Sequence, residues 1–352
     1  MDQTSSAQGP DQDDDAPEVQ TYSFVIKPAH GLKRLDQHLA SRFPAHSRTF
    51  MKRLIEEGAV TVNGAPAKPS CTPRPGDELV AHVPVTFVER VEPEEIPLDI
   101  IYEDEWILVV NKPPDMVVHP AKGHLSGTLV NAVAWHCKQL SRRGGELRAG
   151  IVHRLDRDTT GVILLVKNES VHESLSRQFE QRSIKKQYLA ICEGCPELDS
   201  DVIDAPIGPH SRHVEMMAVR HDVGRAARTV YEVVERLGDF SIVRCFPESG
   251  RTHQIRVHLR HIGHPVVCDA AYGRREAICP ADLTGSEPAP SEAPLLARQA
   301  LHARRLRIRH PALGREMEFE APVPRDMMAL VDALRARQQR TGGSPAGRPN
   351  GR

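Results

Sequence analysis

Gly150-Ile-Val-His153-Arg154-Leu155-Asp156-Arg157-Asp158-Thr159-Thr160-Gly161, continued directly by Val162-Ile-Leu-Leu-Val166, is the densest polar stretch inside an apolar context in this 352-residue chain. A charged loop that opens onto a branched apolar run reads as a loop entering a strand. Such a loop can hold a carboxylate at the edge of a sheet while the strand fixes its backbone, which suits a positioned nucleophile or base. Asp156 and Asp158 are the candidate carboxylates. Composition alone favours an ordinary ion-pair network.

Outward from this stretch, Trp106 to Val110, Tyr188 to Cys192, Val230 to Val234 and Ser241 to Phe246 are further short, branched apolar runs bounded by Gly, Pro, Asn or charge. They read as strands, and residues 126–140 and 169–182 carry helical periodicity between them. The pattern predicts a mixed α/β or α+β domain over 100–330, with residues 274–298, rich in Pro, Ala and Glu, as an inserted surface loop. Residues 32–83 form a separate small α/β unit. Leu32, Leu35 and Leu39, then Phe50, Leu54 and Ile55 behind a Ser47 N-cap, mark two helices. Val60 to Val62 followed by Asn63-Gly64 marks a hairpin with a type I′ turn. An acidic linker is expected over 84–99, a disordered acidic tail over 1–20 and a disordered basic tail over 338–352.

The formal net charge of -1 hides an uneven distribution. Six acids lie in the first 20 residues and eight in residues 89–105; outside these segments 45 basic face 33 acidic residues. That balance suits a polyanionic partner. Seven scattered cysteines fit reduced thiols better than a disulfide framework, and Cys192-Glu-Gly-Cys195 lacks the second pair that a structural zinc site needs. His253, His258, His261 and His264 crowd together, yet no carboxylate completes a zinc-binding pattern, so no metal is expected. No apolar window is long enough to span a bilayer, and the start, MDQTSSAQGPDQDDDAPE, lacks the features of a signal peptide. A cytoplasmic protein is expected, and a monomer, since no self-associating heptad stands out.

LKRLDQHLASRF, SRTFMKRLIEEGAVTVNG and PRPGDEL resemble, in order, the small RNA-binding domain of a small-subunit ribosomal protein that also precedes many RNA-modifying enzymes. The resemblance turns Lys33, Arg34, Arg48, Lys52 and Arg53 from a solvated face into candidate RNA contacts. The remainder resembles the RluA-type pseudouridine synthases, in particular the RluD-like large-subunit ribosomal RNA branch. The central block is HRLDRDTTG (153–161), and the others are NKPPDMVVHP (111–120), KKQYLA (185–190), SGRTHQIRVHL (249–259), CDAAYG (268–273) and LHARRLRIRHP (301–311). Thr160 stands where the commonest pattern has Ser, which keeps the hydroxyl.

The resemblance implies an α+β catalytic domain with a mixed, largely antiparallel sheet, and isomerisation of uridine to pseudouridine in RNA without a cofactor. It implies that Asp156 is the catalytic carboxylate, attacking C6 of uracil or C1′ of ribose, or assisting elimination. Arg251 is implied as its ionic partner, Tyr188 as the residue that stacks on the base, and Arg154 as the support for a flipped-out nucleotide. His153 and Thr159 are expected to contact RNA, and Lys185, Lys186, Arg256 and Arg260 to track its backbone. The expected partner is large-subunit ribosomal RNA or a precursor particle. Three other readings fit the same residues: an assembly factor that binds RNA with little turnover, a synthase acting on transfer RNA, and a carboxylate-dependent hydrolase or nucleosidase that would release free uracil.

Overall fold

Alternating apolar and polar residues in VQTYSFV make Val19–Val25 (β1) a half-buried strand, seven residues that belong to the first of two units. The computed structural model describes residues 19–27, 33–43, 48–84, 91–119, 126–137, 140–141, 149–213, 215–286 and 292–340. The chain divides into Met1–Arg90 and Val91–Arg352.

In the first unit, α1 (Leu35–Arg42) and α2 (Arg48–Glu56) follow β1, and β2 (Val60–Val62), β3 (Ala65–Pro66) and β4 (Glu78–Pro84) complete a sheet of order β1-β4-β2-β3. Leu35, Leu39, Met51, Leu54 and Ile55 recur at helical spacing and close over Val60 and Leu79. Asn63 and Gly64 join β2 to β3 with φ of 51° and 75°, the two positive values that a type I′ turn requires. The unit starts earlier than residue 32, and the acidic start gives way to structure before residue 20, because β1 pairs along its whole length with β4. Ser47 lies outside the described residues.

The second unit contains β5 (Ile100–Glu103), β6 (Ile107–Lys112), α3 (Leu129–His136), β7 (Thr160–Val166), α4 (Glu169–Glu180), β8 (Lys185–Glu193) and β9 (Ser200–Asp204). After these come β10 (Ile207–Pro209), β11 (Met217–Val219), β12 (Arg228–Leu237), β13 (Phe240–Pro247), α5 (Gln254–His261), α6 (Pro280–Thr284), β14 (Leu301–Arg309), β15 (Glu316–Glu320) and α7 (Arg325–Arg340). The principal sheet runs β5-β6-β7-β14-β8-β13-β12-β9, with β15 on β14, and every pairing is antiparallel except β7 with β14. This is the mixed, largely antiparallel sheet of the α+β expectation.

Three boundaries of the second unit also differ from the sequence reading. Residues 91–99 are not a free linker: Ile96 and Leu98 pack on the cluster around Leu108, Val110 and Leu129, and Asn131 donates to the Glu92 carbonyl. Acidic residues alternate there with apolar ones, so one side can be buried while the other stays wet. The segment 274–298 contains α6, whose Leu283 is buried with Ile278 and Leu296. The unit also extends beyond residue 330, because α7 buries Met327, Leu330 and Leu334.

The sheet forks at β14. One edge of this strand bonds β7 at His302 and Ala303, then β15 from Arg305 to Arg309. The approach at the fork requires Gly161: its φ is 110°, and an added Cβ would lie within van der Waals overlap of the Ala303 backbone, 2.9 Å from its nitrogen. Gly161→Ala is expected to cost about 3 kcal/mol, from backbone strain plus overpacking, read as a lowered denaturant midpoint. A wild-type midpoint would mean that the strands do not cross so closely.

Candidate active site

The charged loop that precedes β7 is held from several sides. Leu155 is buried in the cluster with Leu108 and Ile163, and Thr159 N–H closes a turn on the Asp156 carbonyl at 3.1 Å. Lys112, at the end of β6, is fully buried and donates to the carbonyls of Pro113 (2.7 Å), Met116 (2.9 Å) and Arg157 (2.7 Å). Burial pushes its pKa down to about 7, against the opposing influence of Asp158 and Asp156. The lysine thus ties the loop to the preceding strand. Nothing in its sequence context distinguishes it from a surface lysine except its position between an apolar strand and two prolines.

The loop, β8, the end of β13 and the start of α5 enclose a cleft of about 370 Å³, lined among others by Arg154, Asp156, Tyr188, Arg251, His253 and Arg256. Asp158 is not part of the lining; its Oδ1 accepts from Asp115 N–H at 3.2 Å. Asp156 receives Arg256 Nη1–H at 3.0 Å on Oδ2. The same guanidinium forks onto Asp269, Nε to Oδ2 at 2.6 Å and Nη2 to Oδ1 at 2.8 Å. Asp269 is itself fixed by the backbone N–H groups of Ala271 and Tyr272, both at 3.1 Å. One arginine therefore supports two carboxylates, and both raise its pKa despite the opposing effect of burial.

This corrects the expected ionic partner. Arg251 lines the cleft, but its Nε donates to the Ala226 carbonyl at 3.3 Å, whereas the ion pair to Asp156 comes from Arg256. The reason is helical. Residue 251 precedes α5 in a turn, while His253 and Arg256 are three apart at its start and project to one side. Arg256 is also too buried to track an RNA backbone, with a side chain 8% exposed.

Tyr188, on β8 between Cys245 of β13 and Ala303 of β14, packs against the cores on both faces of the fork. Burial, then the charge of Asp156, raises its phenol pKa well above the ordinary value, so it lines the cleft as a neutral ring. Arg154 is exposed at the cleft, and among the described residues no hydrogen bond or ion pair engages its guanidinium. Lys185 is exposed on β8. Lys186 turns inward and donates to the Ser249 carbonyl at 2.9 Å; burial lowers its pKa to about 8.

Two expected RNA contacts are occupied within the protein. His153 stacks on Phe179, centroids 4.6 Å apart, and its Nε2 accepts from Leu164 N–H at 2.9 Å; burial pushes its pKa down to about 3. The Thr159 hydroxyl accepts from Gln299 Nε2–H at 2.8 Å, and Thr160 meets His302 Nδ1 at 2.9 Å. Both threonines are buried. Sequence reading missed Lys112 and Asp269 and gave Tyr272 no part; CDAAYG (268–273), an acid and a phenol in an apolar block, carried the available signal.

The clustered histidines go to separate partners: His258 to Thr229 Oγ1 and the Ala205 carbonyl, both 2.9 Å, and His264 to the Glu193 carbonyl. Cys192 is buried, and Cys195 donates to the Phe240 carbonyl. Elsewhere Glu103, His136 and Cys137 lie close together, but the Glu103 carboxylate already holds His136 and Lys167, each at 2.7 Å. Among the described residues no helix is long and apolar enough to cross a membrane.

In the small unit, Arg34 and Arg48 converge on buried Asp36, at 3.1 and 2.9 Å. Burial opposes the Asp36 charge, but the two arginines hold its pKa below the ordinary value. Lys52 and Arg53 pair with Glu56 and Glu57 one turn on, and Lys33 is exposed.

A Bacillus subtilis protein described as an uncharacterized RNA pseudouridine synthase is 44% identical to this chain over 303 residues, 86% of this chain and 94% of that protein. The chain belongs to the RNA pseudouridine synthase family. The family model described as RNA pseudouridylate synthase matches residues 106–261 of the synthase, and the S4 domain model matches 33–79. Ribosomal large subunit pseudouridine synthase D of Pseudomonas aeruginosa is 43% identical over 305 residues, covering 87% of this chain and 93% of that protein. The solved structure of human RNA pseudouridylate synthase domain containing 4 superposes with a TM-score of 0.51 at 25% identity, over 67% of this chain and 92% of that one. The shared fold places the synthase on a known α+β framework.

Proposed function

We propose that this synthase isomerises uridines in large-subunit ribosomal RNA, with Asp156 as the catalytic carboxylate acting on a flipped-out nucleotide. The observation that carries the reading is the Asp156–Arg256–Asp269 arrangement on the wall of a cleft also lined by Tyr188. The guanidinium fixes the orientation of the carboxylate that would attack carbon. A cleft of this volume accommodates a single nucleotide, and a uridine within folded RNA must be unstacked to reach it, at a cost of a few kcal/mol. Arg154 is an exposed planar cation at the cleft, suited to stack on or bond to the bases left behind. The small unit supplies Lys33, Lys52 and Arg53 as exposed positive charge, with Arg34 and Arg48 turned partly inward by Asp36. Similarity to proteins named for the large ribosomal subunit supports the choice of RNA.

The test incubates the full chain, without added metal or nucleotide, with unmodified large-subunit RNA and maps pseudouridine by carbodiimide modification and primer extension. New stops support the assignment; modification of transfer RNA alone, or salt-sensitive binding to every RNA without product, would replace the proposed substrate. Arg154→Ala is expected to slow product formation about 10- to 100-fold, the unstacking energy no longer being offset, with the fold intact. Single-turnover rates beside the melting temperature check this, and an unchanged rate would remove Arg154 from the flipping step.

A further inference from the structure

His253 stands beside Arg256 at the start of α5 with its Nε2 4.0 Å from Asp156 Oδ2, too far for a hydrogen bond. Its other ring nitrogen is committed: Nδ1 lies 2.8 Å from the hydroxyl of Tyr272, and that hydroxyl accepts from Met217 N–H at 2.7 Å. With one lone pair taken by Met217 N–H, the Tyr272 hydroxyl still has its own proton to offer Nδ1. When that proton is given to Nδ1, Nδ1 accepts and in the neutral ring Nε2 carries the hydrogen, which is the tautomer assigned to His253. Burial lowers the His253 pKa, with the Arg256 and Arg154 charges acting the same way against Asp156 and Asp269, so the neutral ring is the form present near pH 7. The backbone supports a functional placement, since His253 has φ 56° and ψ 20°, a left-handed conformation that is uncommon outside glycine and costs energy. The tyrosine fixes one side of the ring, and in this tautomer Nε2–H lies on the cleft wall beside Asp156.

The geometry points to a further catalytic group: His253 Nε2–H donates a hydrogen bond to a carbonyl oxygen of the uracil as its glycosidic bond breaks, an assignment that rests on the pseudouridine synthase reading of this cleft. When C1′–N1 breaks, the electron pair passes to the ring and spreads over N1, O2 and O4. A donor there stabilises charge that the intact uridine does not carry. The C1′–C5 bond then forms, C5 loses its proton and N1 gains one, so the product is an isomer and no co-reactant is consumed. Tyr272 acts through His253 and is a positioning residue.

The test measures single-turnover pseudouridine formation by wild type, His253→Phe and Tyr272→Phe on RNA with uridine, 2-thiouridine or 4-thiouridine at the target, with RNA affinity and melting temperature in parallel. Sulfur is a poor acceptor, so replacing the contacted oxygen removes the same interaction as His253→Phe. The expected result is a loss on the order of 10²-fold for His253→Phe on uridine, at least tenfold less loss on one of the two thiouridines, and unchanged affinity. Tyr272→Phe, which keeps the ring but frees the tautomer, is expected to show a smaller loss with the same sulfur dependence, and it serves where His253→Phe fails to fold. Equal losses on all three RNAs, or no loss, would overturn the assignment. Absence of product with wild type on every RNA would overturn the activity itself, which separates the two failures.

Discussion

Asp156→Asn is expected to abolish pseudouridine formation, a fall on the order of 10⁴-fold or more, while the dissociation constant for RNA changes by about twofold at most. The amide keeps the size of the side chain and an oxygen able to accept from Arg256 Nη1, so the loop need not move. What it loses is the charge and lone-pair reactivity needed to form or assist breakage of a bond to carbon. Leu155 in the core, Lys112 on the Arg157 carbonyl and Gln299 on Thr159 hold the backbone independently of the carboxylate. Asp158→Asn is the matched control, expected to retain a rate within about threefold of wild type, since Asp158 lies off the cleft and its Oδ1 contact to Asp115 N–H survives in asparagine. Carbodiimide mapping of both variants on one RNA reads the comparison directly. Product from Asp156→Asn at the wild-type rate would end the nucleophile assignment. Loss in both variants would mean that the loop fails as a unit.

The loop and strand that open onto Asp156 were legible because an unusual density of charge sits against an unbroken apolar run. The helices of the small unit and the Asn63-Gly64 turn were legible for the same kind of local reason. What escaped depends on contacts distant in sequence. Asp156 and Arg256 are 100 residues apart, and only the start of α5 at Gln254 decides that residue 256, and not 251, turns towards the carboxylate. His153 and Thr159 carry the polar chemistry expected of RNA contacts, yet Phe179 and Gln299 occupy them from elements that the loop sequence does not reveal. Strand β14, LHARRLRIR, alternates Arg and apolar residues over 305–309 but is crowded with arginine; it holds because Arg305 and Arg307 face Glu320 and Glu318 of β15 while Leu306 and Ile308 are buried. Cross-strand charge pairing is invisible until the partner strand is known.

Arg256→Met is expected to destabilise the second unit by about 3–5 kcal/mol, the range for removing one partner of a buried ion pair. Asp269 has a fully buried side chain and would keep only the N–H groups of Ala271 and Tyr272 against a full negative charge. Activity is expected to fall with it, because Asp156 would lose the donor that fixes its orientation. Stability and chemistry separate in Arg256→Lys: the ammonium keeps a positive charge but cannot reproduce a fork that reaches Asp269 twice and Asp156 once. That variant is expected to recover at least half of the lost stability while remaining about 10²-fold slow, since an ammonium drawn to Asp269 leaves Asp156 without an aligned donor. Arg251→Ala sets the opposite limit. It lacks a carboxylate partner among the described residues, so its unfolding free energy is expected to stay within about 0.5 kcal/mol of wild type. Urea melts of the three variants with single-turnover rates test the pairing seen at Asp156. If Arg251→Ala were the destabilised and inactive variant and Arg256→Met the tolerated one, the guanidinium at Asp156 would be that of Arg251, and the helical argument for Arg256 would fail.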